Sequence, residues 1–336
     1  MRLKLPPAWG LDRGVVVGID IGGTQCSVST GAYGESHYEL IDRNQFATRP
    51  QRGPAEILAE IENSARAALS GHPDTRVIGI SCGGPMDAAN GIIQSPPNLP
   101  GWDDVRITEQ LEQALGVRCV LENDANACAV AEWAFGAGRD VANLVYLTFG
   151  TGLGAGMILN GSVYRGVGDL AGEVGHWRIG PDLGPVHYGK RGSFEGYCSG
   201  SGIVEWYEDL GGSAGADTAL SAETIARRAR AGEELAVRVF DQAARELGRG
   251  IAILVDALAP ELVIVGGIYG YATDLLQAGM RAAFAEEAHP RLAAGTKIVP
   301  AELGREVGGH ASCSVALLDV AASALRAEGD SRAAAV

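Results

Sequence analysis

Short apolar runs rich in Val and Ile, each ending in glycine, alternate along this chain with longer stretches whose apolar residues recur at helical spacing. The run Val15–Asp20 (VVVGID) predicts a strand feeding the glycine turn Ile21–Thr24. Cys26–Thr30 and Ser36–Ile41 predict two further strands separated by the turn-rich Gly31–Gly34, so the chain is expected to open as an antiparallel meander with Gly22 and Gly23 in a hairpin. Ile57, Leu58, Ile61, Ala65 and Leu69 space a helix over 54–70, with Gly71 as its stop. Val77–Cys82 is the next predicted strand and ends at Gly83 and Gly84. A proline-rich loop through Trp102 and a short helix up to Leu115 then lead to a strand at Cys119–Asn123, after which Asp124 opens a helix to about Phe135.

A second unit is predicted from Asn143, where LVYLTF ends in Gly150, Thr151, Gly152 and Gly154 before another apolar strand, Gly156–Leu159. A β-branched strand running into a Gly/Thr hairpin thus occurs twice, about 130 residues apart, which suggests an internal duplication: two lobes on similar sheets with their loops facing each other. The rest is predicted helical over roughly Glu205–Leu258, strand at Leu262–Val265 followed by Gly266 and Gly267, and an alanine-rich helix at the C-terminus.

Length and composition narrow the function. At 336 residues the chain suits two domains of ~100–200 residues. Hydrophobic residues make up 46%, yet no stretch approaches the ~18 consecutive apolar residues of a membrane span, so no membrane partner is expected. A net charge of −14, with no Lys/Arg run to neutralise phosphates, argues against nucleic acid. The opening MRLKLPPAWGLDRG lacks the apolar core of a secretory signal, and the six cysteines are scattered without close pairs; reduced thiols and a cytoplasmic location are expected.

The 48 glycines concentrate where chemistry is expected. Glycines at a hairpin tip leave backbone N–H groups open to phosphate oxygens, with Thr24 and Thr151 adding hydroxyl donors; a tight hairpin also needs glycine for conformation alone. Gly266–Gly267, after a strand and before a helix, offer a surface without side chains for the flat face of a base. Asp124 at a strand-to-helix junction is either an N-cap or a carboxylate placed to accept a proton. Glu173 and His176, three residues apart with Gly172 and Gly175 on either side of Glu173–Val174, lie on one side of a single turn, as a structural pair or as ligands for hydroxyl groups.

GIDIGGT, PPNLPGW, ENDAN, FGTGLGAG, AGEVGH and ELVIVGG occur in an order and at a spacing that resemble the ROK family of sugar kinases, over roughly Val15–Leu325. The resemblance implies an α/β, two-lobed actin-like ATPase (ribonuclease H-like) fold, with duplicated mixed sheets and flanking helices. Residues 1–137 would form the smaller lobe, completed by the C-terminal helix 312–330, and 138–311 the larger. It implies ATP-dependent phosphorylation of a hexose hydroxyl, foremost glucose at O6, with Asp124 as general base. Asn98, Asn123, Glu173, His176 and Glu195 would bind sugar hydroxyls, and Gly84 would give the sugar backbone access. Gly22, Gly23, Thr24, Gly150, Thr151 and Gly152 would hold the ATP phosphates, Gly266 and Gly267 would lie beside the adenosine, and Asp20 would position Mg²⁺ through water. A homodimer is implied as well.

The chain departs from the family pattern in four places. Where most members carry C-x-C-G-x-x-G-C-x-E and, with the histidine of the GEVGH motif, bind a structural zinc, this chain reads Val186-His187-Tyr188-Gly189-Lys190-Arg191-Gly192-Ser193-Phe194-Glu195. No zinc site is expected, and packing of Val186, Tyr188 and Phe194 is expected to hold the loop instead. Gln25 stands where lysine is common, Cys82 and Gly83 where proline is often found, and GGHASCSV at Gly308–Val315 replaces a Gly-Ala-Ala helix start. Two alternatives remain open: an N-acetylhexosamine kinase, because GISCGGP is similar to the loop of N-acetylmannosamine kinases, and a non-catalytic sugar-binding regulator. A DNA-binding repressor is disfavoured by the charge and by the 19 residues that precede Asp20.

Overall fold

The computed structural model describes residues 2–4, 9–34, 37–215 and 219–333. The chain forms two units: Met1–Arg139 with Arg165–Leu170 and Arg305–Val336, and Asp140–Tyr164 with Ala171–Gly304.

The first unit is built from strands β1 (Arg2–Lys4), β2 (Gly14–Ile21), β3 (Gln25–Gly34) and β4 (His37–Ala47), helix α1 (Pro54–Gly71) and strand β5 (Val77–Cys82). Three two-residue strands follow, β6 (Met86–Asp87), β7 (Ile92–Ile93) and β8 (Val105–Arg106), then α2 (Ile107–Leu115), β9 (Arg118–Asn123) and α3 (Asp124–Phe135). Its main sheet runs β1-β4-β3-β2-β5-β9. β2 is antiparallel to β3 but parallel to β5, and β5 is parallel to β9, so β2, β5 and β9 all point their C-terminal ends the same way.

The second unit repeats the pattern. Strands β10 (Leu144–Phe149) and β11 (Leu153–Leu159) form an antiparallel hairpin, extended by β12 (Ser162–Val163). Helices α4 (Phe194–Tyr197), α5 (Gly200–Asp209), α6 (Ala222–Arg230) and α7 (Glu234–Leu258) precede β13 (Leu262–Val265). α8 (Ile268–Glu287) and α9 (Pro290–Gly295) then lead to β14 (Lys297–Pro300). β10, β13 and β14 are parallel neighbours in the order β12-β11-β10-β13-β14. Each unit therefore carries a hairpin whose first strand is flanked by parallel strands, the duplicated mixed sheet that the repeated Gly/Thr hairpin suggests.

Three local expectations change. Gly31–Gly34 is not a turn: β3 continues through it, with a bulge between Thr30 and Gly31. Gly31 serves a close approach, since a Cβ there would lie 2.5 Å from the fully buried ring of Tyr38 on β4. Gly71 is the last helical residue of α1 and not its left-handed stop; His72 caps the helix. The predicted strand Ser36–Ile41 is longer, His37–Ala47, and Ser36 itself lies outside the described residues.

The last element, α10 (Val307–Ala333), returns to the first unit and packs on its sheet. The stretch Gly304–Ala324, most of it in α10, is long and apolar enough to cross a membrane, but more than half of its most apolar window is buried within the protein, as suits a core helix. The contact is backbone against backbone. Gly18 and Gly79 are register partners on β2 and β5; a Cβ on Gly18 would lie 2.5 Å from the Cys313 nitrogen, and one on Gly79 would lie 2.6 Å from the Ala316 nitrogen and collide with the Ser312 carbonyl. Gly308 and Gly309 of the GGHASC segment answer the same close approach: Cβ atoms there would meet the Asp20 carboxylate and, at 2.9 Å, the Ser29 hydroxyl.

A Gly79→Ala substitution is expected to lower stability by ~1–3 kcal/mol, because the methyl group meets backbone that cannot turn aside. Gly71→Ala, with nothing within 4 Å and no positive φ, should leave stability unchanged or slightly raised. Urea midpoints of the two variants check this.

Candidate active site

In the first unit, the ends of β2, β5 and β9 gather the predicted acids. The hairpin after β2 is closed by the Gly22 N–H donating to the Gln25 carbonyl at 3.0 Å, and Thr48 Oγ1 donates to the Gly22 carbonyl at 2.6 Å. Gly23 lies against the PPNLPGW loop: a Cβ there would sit 2.6 Å from the Asn98 Cβ, so the structure brings Asn98 onto the tip of Gly22–Thr24. Gln25 is held by Gln45, whose Nε2 donates to its Oε1 at 2.6 Å.

Asp20, at the end of β2, pairs in register with Ser81 on β5. A Cβ at Gly308, in the first turn of α10, would collide with the Asp20 carboxylate. Burial, and then the charge of Asp124, raises Asp20 from the ordinary carboxylate range to about 6, against the opposing effects of Arg43 and the Ser81 hydroxyl. Asp124 is raised as well, by burial, opposed by its hydrogen bond from the Ala125 N–H at 2.8 Å.

The two roles open for Asp124 separate here. The helix α3 is capped by Asn123, whose Oδ1 accepts from the Ala125 and Asn126 N–H groups at 3.0 and 3.3 Å; Asp124 is the first helical residue. Capping takes the Asn123 oxygen and leaves its Nδ2 for a hydroxyl. Gly83, after β5, is next to the acid, a Cβ there lying 3.7 Å from Asp124 Oδ2. Gly84 follows in the same loop. Burial, reinforced by the charges of Asp124 and Asp20, pushes the Cys82 thiol well above its usual range, so it is a packing residue.

A residue not singled out in the sequence supports this turn from behind. The buried carboxylate of Glu122 accepts from Asn126 Nδ2 at 3.0 Å and from Arg165 Nε at 2.9 Å, with Arg165 Nη2 closing the ion pair. ENDAN shows the Glu; nothing local in the sequence shows its partner, 43 residues on.

In the second unit, the hairpin Gly150–Gly152 is braced by α5: the Gly200 N–H donates to the Gly150 carbonyl at 2.7 Å, and Ser201 Oγ to the Thr151 carbonyl at 2.9 Å. Gly152 makes room for Glu195, whose Oε2 would lie 2.7 Å from a Cβ there and accepts from the Leu153 N–H at 2.9 Å. A cavity of about 510 Å³ opens beside the hairpin, lined by Gly150, Thr151, Ser201, Glu205, Ile268 and Tyr271 among others. Gly266 and Gly267 are not among its lining. Cβ atoms on them would collide with the Tyr146 hydroxyl and the Phe149 carbonyl, so close packing on β10 explains both glycines, and Ile268 and Tyr271 beyond them supply the wall.

Tyr188 organises the predicted sugar-side residues of this unit. Its ring stacks on His176 with centroids 3.5 Å apart, and burial, then Glu195 and Glu173, raises its hydroxyl above the usual tyrosine range. Glu173 caps the single turn Val174–His176, and the His176 N–H donates to its carbonyl at 3.2 Å.

The loop that zinc would tie does not fit a zinc ion. Of the three positions where the family has cysteine, Val186 is 56% exposed, Tyr188 is stacked on His176, and Ser193 caps α4. Cys198 is fully buried, with its thiol donating to the Ala243 carbonyl at 3.4 Å, which removes it as a substitute ligand. Of the expected packing residues, Phe194 is fully buried, whereas the exposed Val186 contributes no core. His187 does the remaining work, linking Glu195 to Glu205.

Comparison with known proteins identifies the family. The ROK family model matches residues 16–313. The chain is 33% identical over 306 residues to a glucokinase of Halalkalibacterium halodurans, spanning 87% of this chain and 92% of that protein. It is 33% identical over 263 residues to an N-acetylmannosamine kinase of Shigella flexneri, spanning 78% of this chain and 85% of that one. Among solved structures, a ROK family glucokinase from Streptomyces griseus in complex with glucose and AMPPNP superposes with a TM-score of 0.74 at 30% identity, over 90% of this chain and 99% of that chain. Mixed sheets with flanking helices, shared with ROK kinase structures, give the chain the actin-like ATPase fold. With its motifs in order, its glycine hairpins repeated and its family match running almost end to end, the chain belongs to the ROK family.

Proposed function

We propose that this protein is an ATP-dependent hexose kinase acting foremost on glucose at O6. The observation that carries the proposal is Asp124: a desolvated carboxylate at the end of β9, relieved of capping by Asn123 and next to the open backbone at Gly83. Phosphoryl transfer to an alcohol needs the hydroxyl proton accepted as attack proceeds, and a carboxylate with a raised pKa accepts it better at neutral pH. In the first unit, Asp124 takes the proton, Asn123, Asn98 and Gly84 meet sugar hydroxyls, and the hairpin Gly22–Thr24 meets phosphate oxygens. In the second unit, the hairpin Gly150–Gly152 meets phosphates, the neighbouring cavity takes the adenosine, and Glu173, His176 and Glu195 meet sugar hydroxyls. Mg²⁺, when bound, neutralises phosphate charge; the Asp20 carboxylate would hold it through water. A homodimer and a cytoplasmic location belong to the same proposal.

The identity to an N-acetylmannosamine kinase favours N-acetylhexosamines as the second acceptor class. A coupled ADP-release assay over hexoses and N-acetylhexosamines, with and without Mg²⁺, tests both. Turnover on glucose above all others is the expected result; none on any sugar would leave the non-catalytic regulator.

Asp124→Asn is expected to lower kcat by ~10²–10⁴-fold with sugar affinity held within about tenfold, because the shape is kept and the proton acceptor is lost. Steady-state kinetics with direct sugar binding measures both; near-normal turnover would remove Asp124 as base.

Activity should fall as pH drops through about 6, where Asp20 takes up a proton. The effect on stability runs the other way. A carboxyl whose pKa is raised on folding binds protons more readily folded than unfolded, so wild-type stability declines as pH rises from the ordinary carboxylate range to about 6. Asp20→Asn is therefore expected to be more stable than wild type at pH 7.5, on the order of 1–3 kcal/mol, and the gain should vanish below about pH 4. Denaturant midpoints across pH check the sign.

A further inference from the structure

In the second unit a chain of hydrogen-bonded side chains runs from the carboxylate beside the phosphate hairpin to the wall of the nucleotide-sized cavity. His187 Nδ1 lies 3.0 Å from Glu195 Oε1, and its Nε2 lies 3.2 Å from Glu205 Oε2. The imidazole side chain is 11% exposed and Glu195 16%, while Glu205 is 48% exposed and lines the cavity. A neutral imidazole donates from one nitrogen only, so a ring set between two carboxylates keeps both contacts as imidazolium. The surroundings favour that form: the hydrogen bond that His187 donates to Glu195 raises the His187 pKa, against burial and with Glu205 assisting. Burial pushes the Glu195 carboxyl up, but hydrogen bonds from His187, the Leu153 N–H and Tyr188 outweigh it and hold the group below its usual range.

A carboxylate has about four acceptor directions. Two at Glu195 are taken by the Leu153 N–H and His187, which narrows the directions left for a ligand hydroxyl. Val186, Tyr188 and Ser193 offer no metal clip to hold this loop, and the ring of His187 ties Glu195 to Glu205 of α5, beside the Arg191–Asp209 ion pair.

We propose that His187 is a positioning residue, holding Glu195 in the orientation that receives a sugar hydroxyl, and that Glu205 holds His187 from the cavity wall. This rests on the hexose-kinase reading of the same site.

Calorimetric glucose binding in the presence of AMPPNP, with wild type, His187→Ala, His187→Gln and Glu205→Gln, tests it. His187→Ala is expected to weaken glucose binding about tenfold or more while AMPPNP affinity stays within about threefold, since one charge-assisted contact at a buried carboxylate is lost and the hairpin is not. His187→Gln, whose amide has two donors, should restore much of the loss, and Glu205→Gln should cost about two- to threefold. A folded His187→Ala protein with glucose affinity unchanged, even at lower Tm, would overturn the proposal and make His187 a loop staple. If His187→Ala does not fold, Glu205→Gln decides, since unchanged glucose affinity in that variant is the same refutation. A wild type that binds AMPPNP but no hexose would instead overturn the functional reading, and this inference with it.

Discussion

A helix that approaches a sheet until backbone meets backbone leaves no space for side chains between them, and the first unit depends on this constraint. Gly18 and Gly79 on adjacent strands admit α10, and Gly308 admits the Asp20 carboxylate beneath its first turn. The consequences run outward from there. β2 and β5 are held so that their ends present Asp20 and Gly83, and β9 beside them presents Asn123 and Asp124. Small residues in α10 are thus part of the active-site architecture although none of them is proposed to touch substrate.

Two acids set close together at strand ends are unfavourable in a folded protein. Burial raises both above the usual carboxylate range, the charge of Asp124 raises Asp20 further, and the fold retains them because their environment is otherwise well satisfied. Asn123 takes over capping of α3, the Ala125 N–H steadies Asp124, and the Arg165–Glu122–Asn126 cluster fixes the preceding residue. A desolvated carboxylate freed from helix capping is suited to accept a proton, and the cost in stability falls where the chemistry needs it.

The second unit meets a different requirement, holding an irregular loop that has no cysteine at positions 186, 188 and 193. A buried Phe194, a tyrosine–histidine stack and an imidazole between two carboxylates replace a coordination sphere. These contacts are individually weaker than metal–thiolate bonds, and they suffice because the loop rests on a large core of its own instead of constituting a minimal domain.

Much of this was legible in one dimension. Val77–Cys82, Leu262–Val265 and the helix Asp124–Phe135 are recognisable because hydrophobic periodicity and turn residues are local signals, and the recurring Gly/Thr hairpin exposes the repeated sheet. The ordered motifs likewise mark Asp20, Asp124 and Glu195. Their surroundings were not legible, because burial and partnership join residues far apart in sequence. Whether Asn123 or Asp124 caps α3 depends on backbone geometry at one residue. The glycines at 31, 266 and 267 look like turn or ligand positions, but they are set by Tyr38, Tyr146 and Phe149 across the sheet. His187 carries no motif at all; only folding places it between Glu195, eight residues on, and Glu205, eighteen residues on. Sequence determined the elements and the chemistry-bearing residues, whose signals are local, while tertiary structure decided each one's charge, partner and freedom, because electrostatics and packing depend on distance in space.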